Sequence, residues 1–238
     1  MVVPSWRTVE LTKDRVGRPV AMDTELSLLR IQALFAERGR GAMSLEVRWI
    51  LPGQVPAAMI EWLGPFDVAI ERREDQYLLN PSSEELGVKI KGAILLDLKV
   101  LRGSPGLLEI PQVGQGRLEI WEKWSFPANA TGRSPGNASS WLTVQKVRRR
   151  RSFRLSEGQL VERGLSEAEL PGCTMELTEI AIGESAWWSL GLEAHGGSAP
   201  EAALHATVEW LFRGSPPKGI WLEVENSLSY PRWLGTRS

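Results

Sequence analysis

Charged side chains recur at every second residue in several short runs of this 238-residue sequence. Glu46 and Arg48 alternate with Leu45, Val47 and Trp49. Lys89 and Lys91 alternate with Val88 and Ile90, and Asp97 and Lys99 with Leu96, Leu98 and Val100. Further on, Lys146, Arg148 and Arg150 share one parity, and Glu176 and Thr178 sit beside Met175 and Leu177. A two-residue period places each set on one face of a β-strand. The signs also segregate: carboxylates fall on the first and the late runs, while bases concentrate around Lys89 and Lys146. Facing walls of opposite sign suit a metal-bound polyphosphate, with acids holding a hard cation and bases holding phosphate oxygens. A solvated outer face over an apolar interior gives the same alternation, and a one-residue slip in register exchanges the two faces.

The elements that must position these residues read mostly as strands, over 44–51, 66–79, 87–91, 93–101, 117–126, 141–155, 173–182, 186–194 and 220–225. Most are separated by Gly- and Pro-bearing turns. Helical periods cover 23–35, with Leu28, Ile31 and Phe35 on one face, a short stretch at 56–63, and 200–212, opened by Pro200. The predicted fold is mainly β with some α: an antiparallel, closed barrel or tunnel of about eight strands, with flanking helices. Residues 1–40 are predicted to form an N-terminal extension and helix, suited to capping a tunnel mouth or to a homodimer contact. Residues 41–238 are predicted to form one domain, with a mobile loop at 127–140.

Composition narrows the chemistry. Apolar residues make up 42% and charged residues 24%, as in an ordinary globular protein, and the formal net charge is −1. That charge gives no general argument for nucleic acid or an anionic membrane, although a basic stripe at 148–151 competes as a contact for RNA phosphates. The single cysteine, Cys173, excludes an internal disulfide and a multi-cysteine zinc site, and two histidines exclude a histidine-rich metal centre. Cys173 reads as a small buried residue, and His205 as a helix-face residue; His195, just past Glu193, is the weaker of the site candidates. No run approaches the roughly 18 apolar residues of a membrane helix, and the first 18 residues lack a signal-peptide core. The expectation is a reduced, cytoplasmic protein with no membrane partner.

With the motifs taken in order, the sequence resembles the CYTH superfamily, the triphosphate tunnel metalloenzymes. Ser44-Leu-Glu46-Val-Arg48 stands where that family has Glu-x-Glu-x-Lys, and Asp75-Gln-Tyr77-Leu78 is similar to its Asp-x-Tyr-Tyr/Leu segment. Val88-Lys89-Ile90-Lys91 resembles the basic Leu-Arg-Ile-Arg strand, and Lys146-Val-Arg148 the later Lys-x-Arg strand. Residues 173–193 are similar to the late hairpin that ends in Glu-Ile-Glu before a helix. The resemblance spans roughly 44–212. It implies a phosphohydrolase dependent on Mg2+ or Mn2+, acting on a phosphorylated small molecule or polyphosphate. Glu46, Glu119 or its neighbour Glu122, Glu176 and Glu193 would be the metal ligands, with Glu46 and Glu176 also catalytic. Arg48, Lys89, Lys91, Lys99, Lys146, Arg148 and Arg150 would bind the substrate.

Three departures bear on this chemistry. Ser44 replaces the first glutamate of the opening signature, Arg48 replaces its lysine, and Gly191 replaces the first glutamate of the closing pair. They keep two alternatives open. One is a polyphosphate- or nucleotide-binding module on the same fold without turnover. The other is a lipocalin-like carrier whose tryptophans, 11 in this chain, line an apolar cavity.

Overall fold

The computed structural model describes residues 41–64, 70–79, 84–128, 141–163, 172–196, 199–214 and 216–236. The extension 1–40 with its helix, and the 127–140 loop beyond residue 128, lie outside the described residues. Nine strands follow in chain order: β1 (Ala42–Pro52), β2 (Ile70–Leu78), β3 (Leu86–Lys91), β4 (Leu95–Ile110), β5 (Gly114–Pro127), β6 (Trp141–Ser156), β7 (Gln159–Arg163), β8 (Gly172–Ile182) and β9 (Ser185–His195). Helix α1 (Ala57–Leu63) follows β1, α2 (Pro200–Phe212) follows β9, and a short α3 (Tyr230–Gly235) comes last.

Every pairing between these strands is antiparallel. The order β2-β3-β4-β5-β1-β9-β8-β6 closes on itself through β2–β6, giving an eight-strand barrel, and β7 hangs from β6 as a hairpin. That hairpin turns through Glu157 and Gly158, both at positive φ (51° and 77°), the geometry that matches strand twist.

The alternation resolves with charge inside and hydrocarbon outside. Val47, Trp49, Met175, Leu177, Leu190 and Leu192 face outward and form one core with Met59 and Leu63 of α1 and with Leu204, Val208 and Leu211 of α2. This is why α2 has one apolar stripe: it roofs the outer face of β1, β8 and β9. Trp188 belongs to this outer core, whereas Trp187 has the opposite parity and meets Trp233 edge-on at 5.5 Å. A second outward cluster, Val88, Ile90, Leu96, Leu98, Trp124 and Phe126, lies over β3–β5.

One end of the lumen is apolar and filled. Inward-facing Ile50, Tyr77, Val144 and Ile180 pack against Trp233 and Leu234 of α3. The chain reaches this position through a split between β1 and β5, whose pairing stops at Glu46–Glu119. In the split, Leu228 N donates to Arg48 O (3.0 Å) and Arg117 N to Ser227 Oγ (2.7 Å). Residues 220–225 therefore form no strand, contrary to the sequence expectation. Leu222 makes only an isolated parallel bridge to Gly114, and Val224–Asn226 is a 3-10 turn, because the segment crosses the split instead of running along an edge.

The structure differs from the sequence reading in three more elements. β4 continues to Ile110, with register shifts around Gly103 and Gly106 that carry Pro105 in a bulge instead of ending the strand. β7 and α3 carried too short a period to be read. Replacing Trp233, which is 2% exposed, with Ala should cost about 3–5 kcal/mol in chemical denaturation.

Candidate functional site

Strand register alone brings the charged residues together. Glu46 pairs with Glu119 on β5 and with Glu193 on β9, and Arg48 pairs with Gly191. Gly191 pairs with Glu176, which pairs with Arg150; Arg148 pairs with Glu71, and Arg73 with Lys146. Lys89 pairs with Tyr77 and Asp97, and Lys99 with Lys123. Directly paired residues share a face, so all of these point into the lumen. Arg149 and Arg151 have the opposite parity and bind Glu179 and Glu162 outside.

Inside, the charges form two connected groups, Arg73 joining the two halves of the larger one. Lys99 Nζ bridges Glu46 and Glu193, at 3.7 Å from the latter, and Ser44 Oγ donates to Glu46 at 2.5 Å. Glu176 accepts from Arg48 Nη1 (3.3 Å), Arg148 Nε (2.8 Å) and Thr178 Oγ1 (2.9 Å). Arg148 continues to Glu71 at 2.8 Å, which also meets Arg73 (3.0 Å) and Arg150 (3.3 Å). Asp75 faces Arg73 (3.0 Å), Lys146 (3.4 Å) and Lys89 (3.7 Å), and Lys89 lies 3.8 Å from Asp97. Lys146 also donates to Tyr77 Oη at 2.6 Å, with its ammonium 3.8 Å from the Tyr230 ring centroid.

Protonation follows from this geometry. Burial works against ionising Glu176, but Arg148 and Arg48 outweigh it and hold the carboxyl well below the usual range. Glu193 is held at about 2 because Lys99, Lys123 and Arg48 together overcome the same burial cost. Glu119 moves the other way: burial raises it, and the neighbouring charge of Glu46 adds to the rise. Burial depresses Lys89 well below its ordinary value, with Lys146 adding repulsion. Lys146 falls to about 7, burial outweighing the pull of Asp75 and Glu176. Lys91, half-buried at the β3 end, has no ion pair among the described residues, and burial with Arg73 and Lys123 lowers it too.

The structure thus brings together every substrate-binding residue expected from sequence, and it adds Glu71, Arg73, Asp75, Tyr77, Asp97, Lys123 and Tyr230. Asp75 and Tyr77 stand in the motif quoted above, whereas Glu71 and Arg73 share their parity but were hidden because both faces of β2 (Ile70–Leu78) are polar. Nothing in the sequence pattern pointed to Tyr230. Glu122 faces outward and binds Arg102. Cys173 is buried, with its thiol pushed up to about 12, and His205 lies on an exposed helix face near Glu201.

The expected metal ligands are differently placed. Glu46 and Glu193 oppose each other with Lys99 between them, Glu176 is taken up by two arginines, and Glu119 accepts from Trp121 Nε1 (3.0 Å) with Arg232 3.9 Å away. Among the described residues, no three of His, Cys, Asp and Glu converge on one point. The donor set as it stands is matched to cations of the chain itself and does not fit a resident Mg2+ or Mn2+.

No protein-family model and no curated protein sequence matches this chain. Solved structures that align with it include the RNA triphosphatase of S. pombe, at 13% identity over 87% of this chain and 94% of that one, with a TM-score of 0.38. The capping enzyme triphosphatase of Mimivirus aligns at 12% identity over 80% and 96%, TM-score 0.40. A conserved hypothetical protein from Pyrococcus furiosus aligns at 15% over 79% and 98%, also at 0.40. No helix among the described residues is long and apolar enough to cross a membrane.

The position of Lys146 sets a pH dependence. It faces Asp75, Tyr77 and Arg73 of β2, Lys89 of β3, Arg48 of β1, Glu176 of β8 and Tyr230 of α3. A cation whose folded pKa is lowered binds fewer protons in the native state than in the unfolded one between about 7 and the ordinary lysine value of 10.5. Its contribution to stability therefore rises with pH across that window and is lowest, with no further change, below about 7, where both states carry the proton. A bound polyanion favours the charged form. Titration of tripolyphosphate near pH 8, in two buffers of different ionisation enthalpy, should show net proton uptake, and Lys146→Met should abolish most of it.

Proposed function

We propose that this chain binds the triphosphate group of a nucleotide or an inorganic polyphosphate inside the barrel and hydrolyses a terminal phosphoanhydride. The observation that carries this reading is the lumen itself. Partly or fully buried cations converge from β1, β2, β3, β4 and β6, two lysines are held below their ordinary range, and Lys91 makes no ion pair among the described residues. Such a surface is stabilised by a multivalent anion. Arg48 and Arg148 present fork-like donors for phosphate oxygens, while Lys89, Lys91 and Lys146 act as point charges. Held in place before the substrate arrives, the same donors would offset charge building on the transferring phosphoryl group.

Glu176, held by two arginines far below the usual carboxylate range, is no proton acceptor and positions Arg48 and Arg148 instead. Glu46, which faces the lumen and accepts from Ser44 and Lys99, would be the carboxylate that orients a water. A second reading, binding without turnover, is favoured by Ser44 and Gly191 standing where the resembling family carries glutamates. The apolar-carrier reading has no support in a lumen lined by charge.

Phosphate release from tripolyphosphate and from nucleoside triphosphates separates the first two readings. Glu46→Gln should lower release by about 100-fold or more with the fold retained; binding with no release in the native protein would establish the second reading. Lys91 offers a cleaner test of binding, because Asp75 opposite it keeps Arg73, Lys89 and Lys146, and Asp97 keeps Lys89 and Lys123. Lys91→Met should change stability by less than about 0.5 kcal/mol while weakening tripolyphosphate binding roughly tenfold in calorimetry.

A further inference from the structure

Two carboxylates that could share a divalent cation, Glu46 and Glu193, lie directly opposite each other on β1 and β9. The space between them is taken by Lys99, whose Nζ contacts Glu46 and lies 3.7 Å from Glu193. Lys99 cannot swing away freely. Its strand neighbour across β4–β5 is Lys123, and across β3–β4 it faces Gly87, which offers no acceptor side chain. Leaving the carboxylates would bring two ammonium groups together and leave the buried Glu46 facing Glu193 without the cation between them.

A second substitution runs in the same direction. A Cβ added at Gly191 would meet Arg48 Cζ at 2.9 Å and its two terminal nitrogens at 3.0 and 3.1 Å. The guanidinium thus occupies the volume a side chain at 191 would need, and from there it reaches Glu176. Where two strands could present acidic side chains to a metal, the chain has put a lysine between one pair and an arginine over a glycine.

We propose that Lys99 is a tethered replacement for the divalent cation, so that the tunnel binds polyphosphate without metal. The inference rests on the anion-binding reading above. The Lys99 ammonium, held by Glu46 and Glu193, supplies fixed positive charge beside Arg48, and the incoming anion completes its shell of acceptors. A Mg2+ ion would need that same position, at oxygen distances of about 2.0–2.1 Å.

The test is calorimetric titration of the full chain with sodium tripolyphosphate, in EDTA and in excess Mg2+, together with Mn2+ titration followed by electron paramagnetic resonance. The native protein should bind tripolyphosphate with the same affinity in both buffers and should not immobilise Mn2+ alone. Lys99→Met should lose roughly tenfold or more in EDTA, gain Mn2+ binding at Glu46 and Glu193, and recover tripolyphosphate affinity when Mn2+ is added. Lys99→Arg should behave as the native protein in EDTA. Metal-dependent binding by the native chain, or Mn2+ held by it without phosphate, overturns the inference while leaving the tunnel reading intact. An unchanged Lys99→Met in EDTA overturns it as well. Absence of tripolyphosphate binding in either buffer defeats the anion-binding reading itself. If Lys99→Met does not fold, the native Mn2+ and EDTA titrations still decide.

Discussion

Charge enclosed in a barrel must be neutralised within it, because taking an ion out of water costs several kcal/mol even after relaxation. That constraint organises this molecule. Each lumenal carboxylate has a cation within reach, and the pairs are linked, so that Glu71 joins Arg73, Arg148 and Arg150 while Asp75 joins Arg73, Lys89 and Lys146. Outward-facing hydrocarbon under α1 and α2 supplies the burial that holds the strands in this register. The inside is left for electrostatics.

The same constraint explains where the network is incomplete. Cations exceed carboxylates on the lumenal wall although the whole chain carries −1, and the surplus collects around Lys89, Lys91 and Lys146. Burial lowers all three. The protein thus tolerates lysines that give up their protons readily, a state an anion would reverse. At the other pole, Lys99 and Arg48 are fully engaged by acids, which hold them charged. One wall is poised to respond to a ligand and the other is fixed.

Much of this was legible as parity. The two-residue periods around Glu46, Lys89, Lys146 and Glu176 correctly grouped the residues that share the lumen, and α2 spans the predicted 200–212. Parity cannot say which face is inside; closure through β2–β6 and the helices over Val47 and Leu177 decide that. Nor can it reveal contacts across strands that are not neighbours. Lys99 meets Glu46 across the intervening β5, so the sequence offered them as separate members of opposite classes. The final helix escaped for a different reason: six residues carry too little period, and Tyr230 acquires meaning only when the chain folds back through the split beside β5 and lays its ring against Tyr77 and Lys146.

That helix has a consequence for traffic. With Trp233 and Leu234 seated on Ile50 and Val144, one end of the barrel is a floor. On the proposed reading, a linear polyanion is not threaded past this floor and instead presents a terminus to it. The barrel would then read the end of a chain and not its length, so that a short and a long polyphosphate offer it the same few groups.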